Sequence, residues 1–281
     1  MDNKNDVSQT AMLIASLRAL ACYEDDPLIH GKDYFAELFL PADKRIPLKT
    51  TNYRPLIKKA IPVGLYEYVI ARTKYFDELF TQYLHQQIPQ IVLLGAGYDS
   101  RAYRYANQIK NSKIFEVDTP ATQKVKRQIL KDNAVEIHPN VLYVTADFEQ
   151  DEWFQRLYDT GYQSSLQTLY IWEGVTFYLA PKSVDSMLSL LRQHSLTGSI
   201  LSFDYQHRDN ENILIDTGLK NENIKFGLNV QECDNYLHSW GYSVIERVDS
   251  EVMSNRYLTM ANGNRFGEVK SIMNIVTAQV N

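Results

Sequence analysis

The stretch Gln90 to Arg104, Q-I-V-L-L-G-A-G-Y-D-S-R-A-Y-R, is the part of the chain around which the remaining elements arrange themselves. Ile91, Val92, Leu93 and Leu94 form an unbroken aliphatic run, as expected of a short strand buried on both faces of a parallel sheet. Gly95 and Gly97 flank Ala96 and carry no Cβ, so the backbone can turn tightly there and a ligand can approach it closely. The segment that follows, rich in Ala, Arg and Tyr, reads as a helix start. Strand, glycine turn and helix together form a nucleotide-cofactor cradle. The third glycine of a dinucleotide fingerprint is absent, since Ser100 stands in its place. A glycine turn that only joins a strand to a helix would give the same local signal.

Outward from this turn, strands and helices alternate. The pattern predicts strands at Lys113–Val117, Val141–Thr145, Thr168–Trp172 and Ser199–Phe203, then Tyr242–Val248 and Ser271–Ala278. Helices are expected at Ala121–Asp132, near Trp153–Tyr158, at Ser183–His194 and at Val230–Trp240. Before the turn, Ser8–Cys22 reads as a helix capped by Ser8, Tyr34–Phe39 as a short helix, and Tyr66–Gln86 as a long one. The basic stretch from Pro41 to Pro62 reads as an irregular connection, and Asp204–Gly227 as an inserted cap or loop. Such alternation implies a doubly wound sheet that binds ligands at the carboxyl ends of its strands.

A chain of 281 residues accommodates one large α/β domain, or one domain carrying a smaller cap. Its net charge of −5 argues against a nucleic-acid scaffold, and no nucleic-acid partner is expected. Neither a leader peptide nor a membrane span is legible, so a soluble cytoplasmic protein without a membrane partner is expected. Cys22 and Cys233 are far apart and the six histidines are scattered, which suggests neither a disulfide framework nor a metal site.

Acidic residues close several of the strands. Asp118, about twenty residues past the turn, is placed to accept hydrogen bonds from ribose hydroxyls, or else to cap the following helix. Glu116 is expected on the opposite face of the strand. Asp147 suits an adenine amine with Phe148 packed on the ring, and equally suits a helix cap.

The motifs L-G-A-G-Y-D-S-R-A-Y-R, F-E-V-D-T-P, A-D-F and W-E-G-V-T-F-Y-L, with R-T-K-Y-F-D at Arg72–Asp77, resemble in order and spacing those of the leucine carboxyl methyltransferase family. The similarity is to its bacterial branch of S-adenosylmethionine-dependent O-methyltransferases and covers most of the chain. It implies an α/β fold with a doubly wound, seven-stranded, Rossmann-like sheet of the class I methyltransferase type. An N-terminal helical lid and lead-in would occupy residues 1–88, and the core 89–281, with a cap inserted at about 205–230. The resemblance further implies S-adenosyl-L-methionine as cofactor, with Arg72 on its carboxylate, Gly95, Ala96 and Gly97 along its methionine and ribose, and Asp118 on the ribose. Asp147 and Phe148 would hold the adenine, and Glu173 the amino group or sulfonium. Ser8, Thr10 and Arg18 would complete the lid.

A carboxylate acceptor requires no general base, whereas a hydroxyl acceptor must lose a proton. Tyr178 and His207 are the candidate catalytic groups for that step, and Arg208 a candidate for binding an acidic acceptor. The bacterial branch implies a small-molecule acceptor of the kind found in secondary metabolism; a monomer or homodimer is expected. Two alternatives share the same turn and distal acid: an NAD-dependent oxidoreductase, and a non-catalytic S-adenosylmethionine-binding protein. The first lacks its third glycine and any Tyr-x-x-x-Lys hydride-site motif.

Overall fold

A computed structural model describes residues 9–148, 153–208, 224–270 and 272–281. The chain opens with α1 (Gln9–Ala21), a 3-10 turn (Ala36–Phe39), α2 (Ala42–Lys49), α3 (Arg54–Ala60) and α4 (Leu65–His85). The alternating part follows as β1 (Gln90–Leu94), α5 (Arg101–Arg104), β2 (Lys113–Asp118), α6 (Pro120–Asp132), β3 (Val141–Thr145), α7 (Trp153–Asp159) and β4 (Thr168–Trp172). It closes with α8 (Pro181–Gln193), β5 (Ile200–Gln206), α9 (Cys233–Ser239), β6 (Tyr242–Val248), α10 (Ser250–Tyr257) and β7 (Met273–Val280).

The seven strands form one sheet in the order β3-β2-β1-β4-β5-β7-β6, parallel except that β7 runs antiparallel to both its neighbours. Strand order reverses between β1 and β4, which opens the crevice where ligands of such sheets bind. The aliphatic run of β1 is explained by its position. Ile91 and Leu93 enter one hydrophobic core and Val92 and Leu94 the other, so neither face of the strand meets water. Helices α6 and α8 both begin with proline in the first turn, where its missing N–H costs nothing.

Several boundaries differ from expectation for identifiable reasons. Residues 41–62 are not irregular: Pro55 occupies the first turn of α3, and Pro47 lies in the second half of the short α2, so both helices survive their prolines. The helix after the glycine turn is a single turn. Strand β5 continues to Gln206, so the expected cap loses its first residues to the sheet. Residues 209–223 of that cap, and Ser8, lie outside the described residues. Glu116 does not point away from the face of Asp118. The two are separated by one full strand period, and Glu116 accepts from the Tyr103 hydroxyl at 2.9 Å on the Ile114 side, while Phe115 and Val117 enter the opposite core.

Candidate cofactor cleft at the strand switch point

The turn after β1 is held by the neighbouring strand. The amides of Gly95 and Ala96 both donate to the Val117 carbonyl, at 2.8 and 3.0 Å, and the Gly97 amide donates to Asp118 Oδ2 at 2.5 Å. A Cβ on Gly95 would stand 2.4 Å from Val175 Cγ2, and the residue has φ +69°, so both space and backbone demand glycine. The other Asp118 oxygen accepts from the Thr119 amide at 2.6 Å. Burial raises the Asp118 carboxyl above the ordinary aspartate range, against the two amides that favour its charged form.

These groups border a cavity of about 340 Å³. Its floor is the glycine turn with Asp118. Phe148, Glu173 and Tyr178 line it from the ends of the next strands, and Thr10, Ala11 and Ile14 of α1 supply a wall. The volume lies within the range of small-molecule sites, about 300–1,000 Å³. A larger cavity of about 580 Å³ runs along α4, but the glycine turn does not border it, and the chemistry of the strand ends lies in the smaller one.

Beneath the cleft runs a continuous array of buried charges. Arg72 reaches Glu173 Oε1 at 2.9 Å and Asp204 Oδ2 at 3.1 Å; the other Glu173 oxygen meets Arg101 Nη1 at 2.8 Å. Arg101 continues to Asp77 and Asp99, and Arg104 clamps Asp77 through two nitrogens at 2.7 Å each. Ser100, where the dinucleotide fingerprint would have glycine, donates to Asp33 at 2.6 Å, and Asp33 pairs with Arg18 at 3.2 Å. Arg18 also donates to the Tyr98 carbonyl, tying α1 to the turn. Burial alone would lift the Asp77 and Asp99 carboxyls, yet the adjacent guanidinium groups hold both below the usual range. At Asp204 burial prevails and the carboxyl is raised, despite Arg72, the Tyr68 hydroxyl at 2.5 Å and the Gly174 amide at 2.6 Å.

The structure therefore brings together Arg72, Gly95, Ala96, Gly97, Asp118, Phe148, Glu173 and Tyr178 around one cavity. Asp147, adjacent to Phe148 past the end of β3, is not among the described lining residues. His207 is not either: its Nδ1 faces the Val230 amide at 3.3 Å, and its backbone amide donates to Ile272. Two residues that the sequence reading missed matter here. Asp204 braces Arg72 and the Gly174 turn from inside β5, two residues before the strand ends. Lys225 lines the cleft and is pinned by its amide to the Phe177 carbonyl at 2.7 Å, a placement with no local sequence signal.

A sheet of this order with a glycine turn and acid at its switch point defines a class I methyltransferase, for which S-adenosylmethionine is the methyl donor. The chain belongs to the leucine carboxyl methyltransferase family, whose model matches residues 11–192. It is 30% identical over 190 residues to a Streptomyces coelicolor protein named an S-adenosyl-L-methionine-dependent methyltransferase, a match covering 68% of this chain and 66% of that one. A Bacillus subtilis protein of the same description is 26% identical across 93% of this chain and 94% of its own. Among solved structures, a methyltransferase from Thermobifida fusca YX superposes with a TM-score of 0.60 at 18% identity, covering 100% of this chain and 97% of the other. A Streptomyces avermitilis protein gives 0.62 at 14% identity, with 99% of both chains covered. These two establish the shared fold.

Proposed function

We propose that the protein methylates a carboxylate oxygen of a small anionic molecule, as in secondary metabolism. The observation that carries this reading is the composition of the cleft. Lys225 lines it, and among the described residues neither a histidine nor a cysteine does. A carboxylate arrives already ionised, so it needs a cation to hold it rather than a base to deprotonate it. A hydroxyl acceptor would leave Tyr178 as the group to take the proton, with His207 committed to its backbone contact.

The residues present fit the cofactor by the chemistry of their donors and acceptors. Asp118 keeps lone pairs for two ribose hydroxyls, Phe148 offers an aromatic wall to the adenine with Asp147 beside it, and the glycine turn admits the ribose and methionine chain. Glu173 sets a carboxylate against the cationic end. Arg72 lines the cleft while paired with Glu173 and Asp204, so a ligand carboxylate would share its guanidinium with them. When bound, the cofactor supplies a sulfonium-activated methyl group. The protein's share is alignment and exclusion of water: Lys225 orients the acceptor carboxylate, and α1 with the Gly174–Tyr178 segment walls the cleft.

The test is incubation with labelled S-adenosylmethionine and a panel of carboxylic acids and phenols, read by mass spectrometry. Base-labile esters are expected. Replacing Lys225 by Ala should raise KM for the acid by about tenfold, the lower end for a hydrogen bond to a charged group, with S-adenosylhomocysteine affinity unchanged. Base-stable ethers as the sole products would sink the carboxylate reading, and cofactor binding without any turnover would favour a binding protein.

A further inference from the structure

We infer that residues 41–63, which carry α2 and α3, form a docking surface for an anionic lipid membrane. The argument starts from charge. This stretch holds Lys44, Arg45, Lys49, Arg54, Lys58 and Lys59 against one acid, Asp43, a local charge of +5 in a chain whose net charge is −5. Three of its cations are engaged with the body of the protein. Lys49 pairs with Glu37 at 2.8 Å, Lys58 with Glu24 at 2.6 Å, and Arg54 stacks over the Tyr23 ring at 4.3 Å. Lys44, Arg45 and Lys59 have no acidic partner within ion-pairing distance among the described residues.

The second observation is apolar. Of the eight large hydrophobic side chains exposed among the described residues, four fall within this stretch: Ile46 at 65%, Tyr53 at 55%, Leu56 at 59% and Val63 at 78%. Single exposed hydrophobics need no explanation, but half of the set concentrated in one short basic segment does. Helix α3 buries none of its residues and α2 only Leu48. Leu48 of α2 and Ile57 of α3 pack on the core, while Ile46 of α2, Leu56 of α3, Tyr53 just before α3 and Val63 after it remain exposed.

Interspersed cations and aliphatic side chains, with a tyrosine, suit the boundary between headgroups and acyl chains, where lysine and arginine meet anionic lipid and apolar groups enter the hydrocarbon edge. The other occupants fit less well. A second copy meeting the same patch symmetrically would set +5 against +5. A nucleic-acid backbone would satisfy the cations but offer nothing to Ile46, Leu56 and Val63. A protein helix needs a groove, and none of the four exposed side chains lines any of the described cavities. The expectation of no membrane partner rested on the absence of a span. No described helix is long and apolar enough to cross a membrane, and surface docking requires none.

The test is co-sedimentation of the full chain with vesicles of phosphatidylcholine alone or mixed with phosphatidylglycerol, at low and high salt. Binding to the anionic vesicles only is expected, and it should collapse at high salt as the screening length shrinks to about 3 Å at 1 M. Replacing Lys44, Arg45 and Lys59 together by Gln should weaken partitioning by on the order of fivefold per cation, near 100-fold in all. A second variant, Ile46→Ser with Leu56→Ser, should also lose binding while unfolding at the wild-type temperature, since both side chains are exposed. Equal binding to neutral vesicles, or none to either, overturns the inference. So does an RNA oligomer bound as tightly as the vesicles, or a wild-type dimer that the serine variant converts to monomer.

Discussion

Glu116 and Asp118 are two acids on one face of one strand, a single period apart, and they have opposite fates. Glu116 lies wholly buried between Lys126 Nζ at 2.8 Å and the Tyr103 hydroxyl at 2.9 Å, and it lines no described cavity. Asp118 has no cation within ion-pairing distance among the described residues and is held by two backbone amides at the edge of the cleft. Burial raises both carboxyls, so their titration does not distinguish them. Position does. The carboxyl end of a parallel strand opens on the crevice made by the order reversal, whereas two residues earlier the same face is closed by α6 and by the aromatic side chains of the β1–β2 connection and β3. An acid inside the sheet layer must bring its own cation, and an acid at the end can leave lone pairs for a ligand.

Two substitutions should break this contrast from either side. Lys126→Ala leaves Glu116 buried without its cation, and a loss of about 3–5 kcal/mol is expected in urea unfolding. S-adenosylhomocysteine affinity of the folded fraction should stay unchanged; a large loss of affinity would mean that Glu116 also reaches the ligand. Asp118→Ala should do the reverse. It removes an acceptor for ribose hydroxyls, and each hydrogen bond to a charged group is worth about 1.5–3 kcal/mol. Calorimetry should show a drop in affinity of about 100-fold or more, and the fold should lose only the two amide contacts. Retained affinity in Asp118→Ala would remove this cleft from consideration as the cofactor site.

The contrast also explains what the sequence could and could not reveal. β1 was legible because burial on both faces leaves an uninterrupted aliphatic record, and the place of Asp118 at the cleft because it ends the next, mostly apolar strand. The roles of Asp204 and Lys225 were not. Asp204 sits inside a strand whose last residues, Asp-Tyr-Gln, carry polar side chains that look like the start of a loop; they are buried because β7 pairs with them and because Arg72, 132 positions away, supplies the charge. His207 drew attention as a titratable residue in a polar stretch, yet its ring accepts from the Val230 amide, two residues past the Leu228 bridge that His207 makes beyond the end of β5. Long-range pairing of this kind leaves no periodic trace in the chain. The arginines of the glycine turn were read as helix formers, and only the structure shows Arg101 and Arg104 as the junctions of the charge array.

The smallest expected effect concerns pH, where Asp118 and Asp77 should pull in opposite directions. The folded-state pKa of Asp118 is raised, so between the unfolded value of about 3.9 and that raised value the folded protein binds the extra proton, and stability falls as pH rises through this window. For Asp77 the folded value is depressed by Arg104 and Arg101 against the effect of burial. Its contribution is present in full above about 3.9 and is lost as pH falls through the folded value. Urea unfolding of the wild type, Asp118→Asn and Asp77→Asn across the acid range yields two difference curves. Relative to the wild type, Asp118→Asn should gain stability with rising pH until its curve flattens, and Asp77→Asn should lose it. Parallel curves would show that the open carboxyl and the clamped one share a single environment, and the distinction between the end of the strand and its buried network would fail.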